Sequence, residues 1–308
     1  MIRVVERGLY YLSLELGIVC FAFILFHAIP SDPARVALGP NAEEAQVAAF
    51  RQELGLNASL LSQFLSYIGR VACLDLGRSY VDGRSVRAEV LTKLGVSLLL
   101  LGFSAIVVLL YVSTIFGIEA STGTRVGTYA DFLWVSTPTM FSGVLIALLS
   151  VRFWPFSRFS GALTSVGDYL YFVPPAFVLA LYPMAILSRI ATAEARQVGN
   201  ATYIRAARAL GLTEFRIVSK YVLKNISVPV LTAFANQIPI LFTGAFIVEA
   251  IFSIPGVGSL LIRSLLQRDF PMLEGLVILN GLVVLTVYLL VEAVYPLVDP
   301  RIGSKHAG

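Results

Sequence analysis

LGVSLLLLGFSAIVVLLYVSTIFGI, residues 94–118, carries no charged residue and is bounded by Lys93 and Glu119. A helix crossing a bilayer needs about 20 mostly apolar residues, because the hydrocarbon layer is roughly 30 Å thick. This stretch is long enough. A lone segment in lipid must meet its backbone hydrogen bonds internally, so it must be helical. Five more segments meet the same test: Leu9–Ala28, Phe132–Val151, Tyr169–Ser188, Ile226–Val248 and Gly275–Val298. The expected fold is all-α and polytopic, with six transmembrane helices.

Composition agrees. Of 308 residues, 57% are hydrophobic and 14% charged, too few charges to cover a soluble domain of this size. The net charge of +4 bears on membrane orientation and points to no nucleic acid partner. Two cysteines, Cys20 and Cys73, and two histidines, His27 and His306, support neither a disulfide framework nor a metal site. Arg3 and Arg7 before an apolar run resemble a signal peptide, but no small-x-small cleavage site follows, so the first segment reads as a retained span.

Basic residues give the orientation. With the N-terminus inside, the inner side receives Arg3, Arg7, Arg125, Arg189, Arg196, Arg205, Arg208, Arg216, Lys220, Lys224, Arg301 and Lys305. The short outer loops receive Arg152, Arg158, Arg263 and Arg268. That bias places both termini in the cytoplasm. Residues 29–93 are charge-balanced and form a small extracytoplasmic insert between the first two spans, ahead of a membrane core over 94–308. In the insert, Asn41-x-x-Glu44 has capping-box spacing and predicts a helix to Leu54, stopped at Gly55. A second amphipathic stretch covers Leu60–Val71, and Asp82-Gly83 reads as a turn.

The inner segment 190–225 is longer than a connection requires. Ala193–Leu210 is rich in helix formers, with weak points at Gly199 and Asn200. Gly211 suits a left-handed helix stop, and Thr213 can cap a second helix with Glu214 in its first turn. Arg216, Lys220 and Lys224 then recur every fourth residue. The expected product is helix–glycine–helix with apolar knobs at Ile204, Leu210 and Leu212 and a basic rim.

YIRAARALGL, residues 203–212, resembles the "EAA" loop of the permease subunits of binding-protein-dependent ABC importers. YIRAARALGLTEFRIVSKYVLKNISVPV is similar to the dipeptide/oligopeptide/nickel branch, specifically its first permease. IPSDPARVALG (29–39), LGL (54–56), DLGRSY (75–80), VEAIFSIPGVGSLL (248–261), RDFP (268–271) and DPRI (299–302) resemble that branch in order along the chain. The chain departs from the branch at Arg205, where the motif's glutamate stands, and at Ser31, Leu74, Thr202 and Leu210.

The resemblance implies a type I ABC importer permease in a bacterial or archaeal plasma membrane. It implies partners: a second, similar permease, two cytoplasmic ATPase subunits or domains, and an extracytoplasmic substrate-binding protein, with membrane lipid around the spans. ATP and Mg would be held by the ATPases, and di- or oligopeptides are the implied cargo, with nickel the alternative. Tyr203, Arg205, Ala206, Ala207, Arg208, Leu210, Gly211 and Leu212 would form the coupling helix. The alanines allow close approach, the leucines insert, and the arginines meet acidic groove residues.

Glu249, Pro255, Gly256, Gly258 and Asp269 would form an extracytoplasmic gate or a binding-protein contact, with a plain turn as the other reading. Asn236, Gln237 and Asn280 either line the pathway or hold helices together. Glu15, inside the first span, is either functional or snorkels to the inner end. Pro138, Pro174, Pro175, Pro183 and Pro239 should kink or interrupt their spans. No G-x4-G-K-[ST] is present, so the chain has no P-loop of its own. A secondary transporter, the competing class, would need ionisable groups at mid-depth, which spans two to six essentially lack; a non-transporting membrane scaffold is the third reading.

Overall fold

The computed structural model describes residues 2–28, 32–39, 42–155 and 166–298. Among these the elements are helices: α1 (Ile2–Ala28), α2 (Pro33–Leu38), α3 (Glu44–Glu53), α4 (Leu60–Ala72), α5 (Val86–Thr122), α6 (Val126–Ser136) and α7 (Thr139–Phe153). They continue as α8 (Val166–Leu170), α9 (Val173–Gly199), α10 (Thr202–Ala209), α11 (Glu214–Ile217), α12 (Leu223–Ile251), α13 (Val257–Gln267) and α14 (Phe270–Val298). Extended pairing among the described residues amounts to an isolated bridge between Arg78 and Ser85. The expected charges Arg158, Arg301 and Lys305, the DPRI ending, the cap at Asn41 and the start of the IPSDPARVALG motif lie outside the described residues.

Four helical stretches are long and apolar enough to cross a bilayer: Val86–Thr122, Val166–Gly199, Glu214–Ile251 and Phe270–Leu290. The expected third span is different. α6 and α7 qualify together but are bent by 96°. The break falls at Thr137 and Pro138, both extended, because proline has no amide proton and its ring blocks the preceding turn. Pro174 and Pro175 begin α9, where a missing amide costs nothing. Pro183 and Pro239 do not interrupt their helices: α9 and α12 run through them, as spans supported by neighbouring helices can. α1 is 27 residues long, though its described apolar part covers Tyr10–Leu25. The described residues thus hold four unbroken membrane-length stretches and one broken one, where six spans were expected.

The chain divides into two compact units. One comprises Met1–Val96 and Pro255–Leu285, the other Ser97–Ile254 and Thr286–Gly308. In the first, Val19 and Phe23 of α1, Tyr67 of α4 and Ile278 of α14 form a core, with Phe64, Ile68, Val71 and Leu76 against it. α4 starts at Ser59, whose Oγ accepts the Ser62 amide at 3.4 Å. It is amphipathic because its spacing puts Phe64, Tyr67, Ile68 and Val71 on one face. α3 is capped by Glu43, whose amide donates to Gln46 Oε1 at 3.4 Å, and ends before Gly55 at φ +70°. The Asp82–Gly83 turn forms as expected, with the Gly83 amide on Ser79 O at 3.1 Å.

In the second unit α9 is the central helix. Its apolar window is 67% buried, against 22% for α5 and 33% for α12. Ala180, Leu181, Met184 and Leu187 pack with Val108 of α5 and Ala233 of α12. Small residues on α9 permit this approach, the usual means of packing helices in lipid.

Candidate functional site

The segment 190–225 folds as helix–glycine–helix, with three departures from expectation. α9 carries past Arg189 to Gly199, so the fourth span and the start of the segment are one helix. The chain then breaks at Asn200 and Ala201, and α10 is short. After Gly211, α11 passes into a π-helical turn, Val218–Val222, and on into α12. The second helix of the loop is therefore the leading end of the fifth span.

Gly211 has φ +78°. Its amide donates to Arg208 O at 2.9 Å and the Leu212 amide donates to Ala207 O at 3.2 Å, a Schellman stop that meets two of α10's last carbonyls. Thr213 Oγ1 accepts the Arg216 amide at 3.4 Å, capping α11. Replacing Gly211 by valine forces a β-branched side chain into the left-handed region, at about 1–2 kcal/mol. Gly211→Val should lose this stop while Gly211→Asn largely keeps it; cysteine crosslinking across the turn, in membranes, measures the difference.

The two faces of the loop are distinct. Ile204, Ala207, Ile217, Val222 and Ile226 are buried together, with Leu212, Val198 and Phe116 packed against them. Ile204 is thus an internal anchor, not an outward knob. Ala207 is 6% exposed and faces the same cluster, while Ala206 is exposed. Tyr203, Ala206 and Leu210 fall at i, i+3 and i+7 and share the outer face. Leu210 is 82% exposed, and Phe215, not singled out from sequence, is 84% exposed.

Arg205 is exposed. Arg208 is held within the chain: its Nε donates to Glu214 Oε1 at 2.7 Å across the glycine turn. The hydrogen bonds to Glu214 push the guanidinium's pKa up. Glu119, at the end of α5, ties the base of the segment: it accepts from Arg196 Nη2 at 2.8 Å and from the Gly127 amide at 3.2 Å. Beneath the loop a cleft of about 390 Å³ has Glu119, Arg125, Arg196, Arg208 and Glu214 among its walls.

The other expected positions are mostly internal. Glu249 is fully buried and accepts from Ser97 Oγ at 2.5 Å. Asp269 is 3% exposed; it accepts from Ser79 Oγ and from the Tyr80 amide, the latter at 3.2 Å. Gly256 and Gly258 are buried and Pro255 is half-buried. The two acids and the two glycines are thus buried, not offered on the surface of the chain.

Gln237 is buried with its Oε1 unpartnered, Asn236 is exposed and Asn280 half-buried. The Glu15 carboxyl oxygens are buried without a hydrogen-bond partner, and a Cβ on Gly281 would lie 2.9 Å from one of them. Glu15 therefore packs against α14 at Gly281.

Membrane-length helices and an ordered loop with an exposed apolar face define a polytopic membrane protein. The particular family follows from comparison. Residues 94–304 match the family model "Binding-protein-dependent transport system inner membrane component", and residues 1–100 match the N-terminal model of such membrane components. The chain belongs to this family. It is 32% identical to the oligopeptide transport system permease protein AppB of Bacillus subtilis, covering 97% of this chain and 98% of that one. It is 31% identical to the glutathione transport system permease protein GsiC of Salmonella typhi, over 98% and 99%. A putative peptide transport system permease of Brucella abortus is 29% identical over 97% and 98%. The chain is accordingly a multi-pass inner-membrane component of a binding-protein-dependent ABC transport system.

Proposed function

We propose that this chain is the permease subunit of an ATP-driven importer of di- or oligopeptides, and within it the first of two similar permeases. The observation that carries the reading is full-length similarity to permeases named for oligopeptide, glutathione and peptide transport. Nickel or another solute of the same branch is the alternative cargo. The second permease completes the pathway, an extracytoplasmic binding protein delivers the solute, and both termini are cytoplasmic. The chain performs no chemistry itself: none of Lys93, Lys220, Lys224 or Lys305 follows a glycine, so nucleotide is held by two partner ATPases.

The loop face of Tyr203, Arg205, Ala206 and Leu210, extended by Phe215, seats in those ATPases. Two large apolar side chains left in water on an ordered turn fit an apolar groove. Gly211 and Leu212 shape the turn, while Ala207 and Arg208 hold it from within. Reconstitution with the encoded partner subunits tests the reading. Uptake of a labelled dipeptide into proteoliposomes should require ATP and the binding protein. Uptake driven by a proton gradient without ATP would replace this reading with secondary transport.

A further inference from the structure

The first compact unit contains two clefts, of about 590 Å³ and about 400 Å³, that have Tyr67, Arg70, Tyr80 and Glu274, with Glu53, Leu54 and Pro271, among their shared walls. The larger one also has Phe23 and Phe270 on its walls. Its size falls in the range of small-molecule sites, roughly 300–1,000 Å³. Tyr67 is 6% exposed, and its hydroxyl has no hydrogen-bond partner. A buried hydroxyl left unmet is costly, so such a group marks a place where something else supplies the bond.

The charges point the same way. Arg70 closes α4 and Glu274 lies in the second turn of α14. Among the described residues neither forms an ion pair, although both line the same two clefts. Each acts on the two tyrosines of the cleft. Burial, and then Glu274, pushes the Tyr80 hydroxyl up to about 12, with Arg70 pulling it down. The same three influences act on Tyr67 in the same order. A cation and a carboxylate that line one aromatic cleft without pairing form a dipolar receptor. It accepts an anionic group at the guanidinium and an ammonium at the carboxylate, where the aromatic faces add attraction.

We propose that this cleft binds a zwitterion, with its anionic end on Arg70, its ammonium on Glu274 and a polar centre bonded to the Tyr67 hydroxyl. Two sources carry that chemistry: a free amino acid or short peptide, and the headgroup of an ethanolamine phospholipid. The site needs neither the ATPases nor the importer reading, and it is tested without them.

The experiment is calorimetric titration of the full chain, freed of lipid in a maltoside detergent. The probes are glycyl-leucine, its N-acetylated and amidated form, and dihexanoyl phosphatidylethanolamine and phosphatidylglycerol. Saturation by glycyl-leucine but not its capped form assigns the free solute. Saturation by the ethanolamine lipid but not the glycerol lipid assigns the headgroup. Arg70→Gln and Glu274→Gln should each weaken the saturating probe about tenfold or more. Tyr67→Phe keeps the ring against Phe23 and Ile278 and should weaken it several-fold. Where a single charge variant unfolds, the swap of Arg70→Glu with Glu274→Arg restores a dipole, reversed, and should bind. The proposal is overturned when neither zwitterion saturates, when the capped peptide and the glycerol lipid bind as well, or when folded variants bind as the wild type does.

Discussion

Ala207→Glu is expected to abolish transport by unfolding the loop from within, while Ala206→Glu, one residue earlier, leaves the loop folded. Ala207 faces Ile204, Ile217, Val222 and Ile226, all of them apolar and buried. A carboxylate placed there has no counter-charge: the nearest guanidinium in sequence, Arg208, is already bonded to Glu214. An uncompensated buried charge costs on the order of 3–5 kcal/mol. That is enough to separate α10 from the leading end of α12 without preventing membrane insertion, since Ala207 lies in no span. Ala206→Glu places the same carboxylate in water, at little cost to the fold. If the outer face seats in an ATPase, Ala206→Glu also stops transport, but with the loop intact. Protease sensitivity at Arg205 and Arg208 in membrane vesicles separates the two. It should rise for Ala207→Glu and stay at the wild-type level for Ala206→Glu. Equal sensitivity in both variants would show that the burial difference between the two alanines is immaterial.

The pair also shows where the sequence ceased to be legible. Both alanines fit a requirement for close approach, and composition alone could not say which faced inward. That needed the position of the stretch from α11 into α12, whose Ile217, Val222 and Ile226 pack with Ile204 and Ala207 of α10. The membrane helices were legible because lipid imposes a length and a composition, and their charged ends were visible. Their boundaries were less so, because Lys93, Glu119 and Arg189 are tolerated inside helices, and the chain ran on in helical form past all three.

Pro138 announced its break, whereas Pro183 gave the same signal and was absorbed by a buried, well-packed α9. Local grammar worked wherever the partners were neighbours in sequence: Gly211 at a left-handed stop, Thr213 as a cap, Asp82-Gly83 at a turn. It failed for long-range bonds. Asp269 reads as a loop acid, yet its carboxylate is taken up by Ser79 and Tyr80, about 190 residues away. The π-helical turn at Val218–Val222 has no signal in residue type at all; it accommodates one extra residue where α11 is fed into a span.

Leu210→Asp combined with Phe215→Asp should produce the cleanest loss of coupling, because the two side chains contribute little to the chain's own fold. At 82% and 84% exposure they bury almost nothing in this subunit. Their replacement should leave thermal unfolding of the isolated permease within about 0.5 kcal/mol of wild type, the usual range for surface changes. In the assembled transporter the effect is different. An apolar side chain fully buried on docking contributes about 1.5–3 kcal/mol, and an aspartate in its place must also be desolvated. Loss of both contacts therefore weakens ATPase association by at least about 100-fold, taking 1.4 kcal/mol per factor of ten. Solute-stimulated ATP hydrolysis and uptake should fall to background, while the subunit is still inserted at normal levels. Arg216→Ser, on the basic rim beyond the turn, serves as the surface control and should cost far less, since exposed ion pairs contribute about 0–1 kcal/mol. Co-purification of the ATPases with the double variant at wild-type yield would sink the assignment of this face. The apolar pair would then need another cover, and membrane lipid at the bilayer surface is the one the rest of the chain already uses.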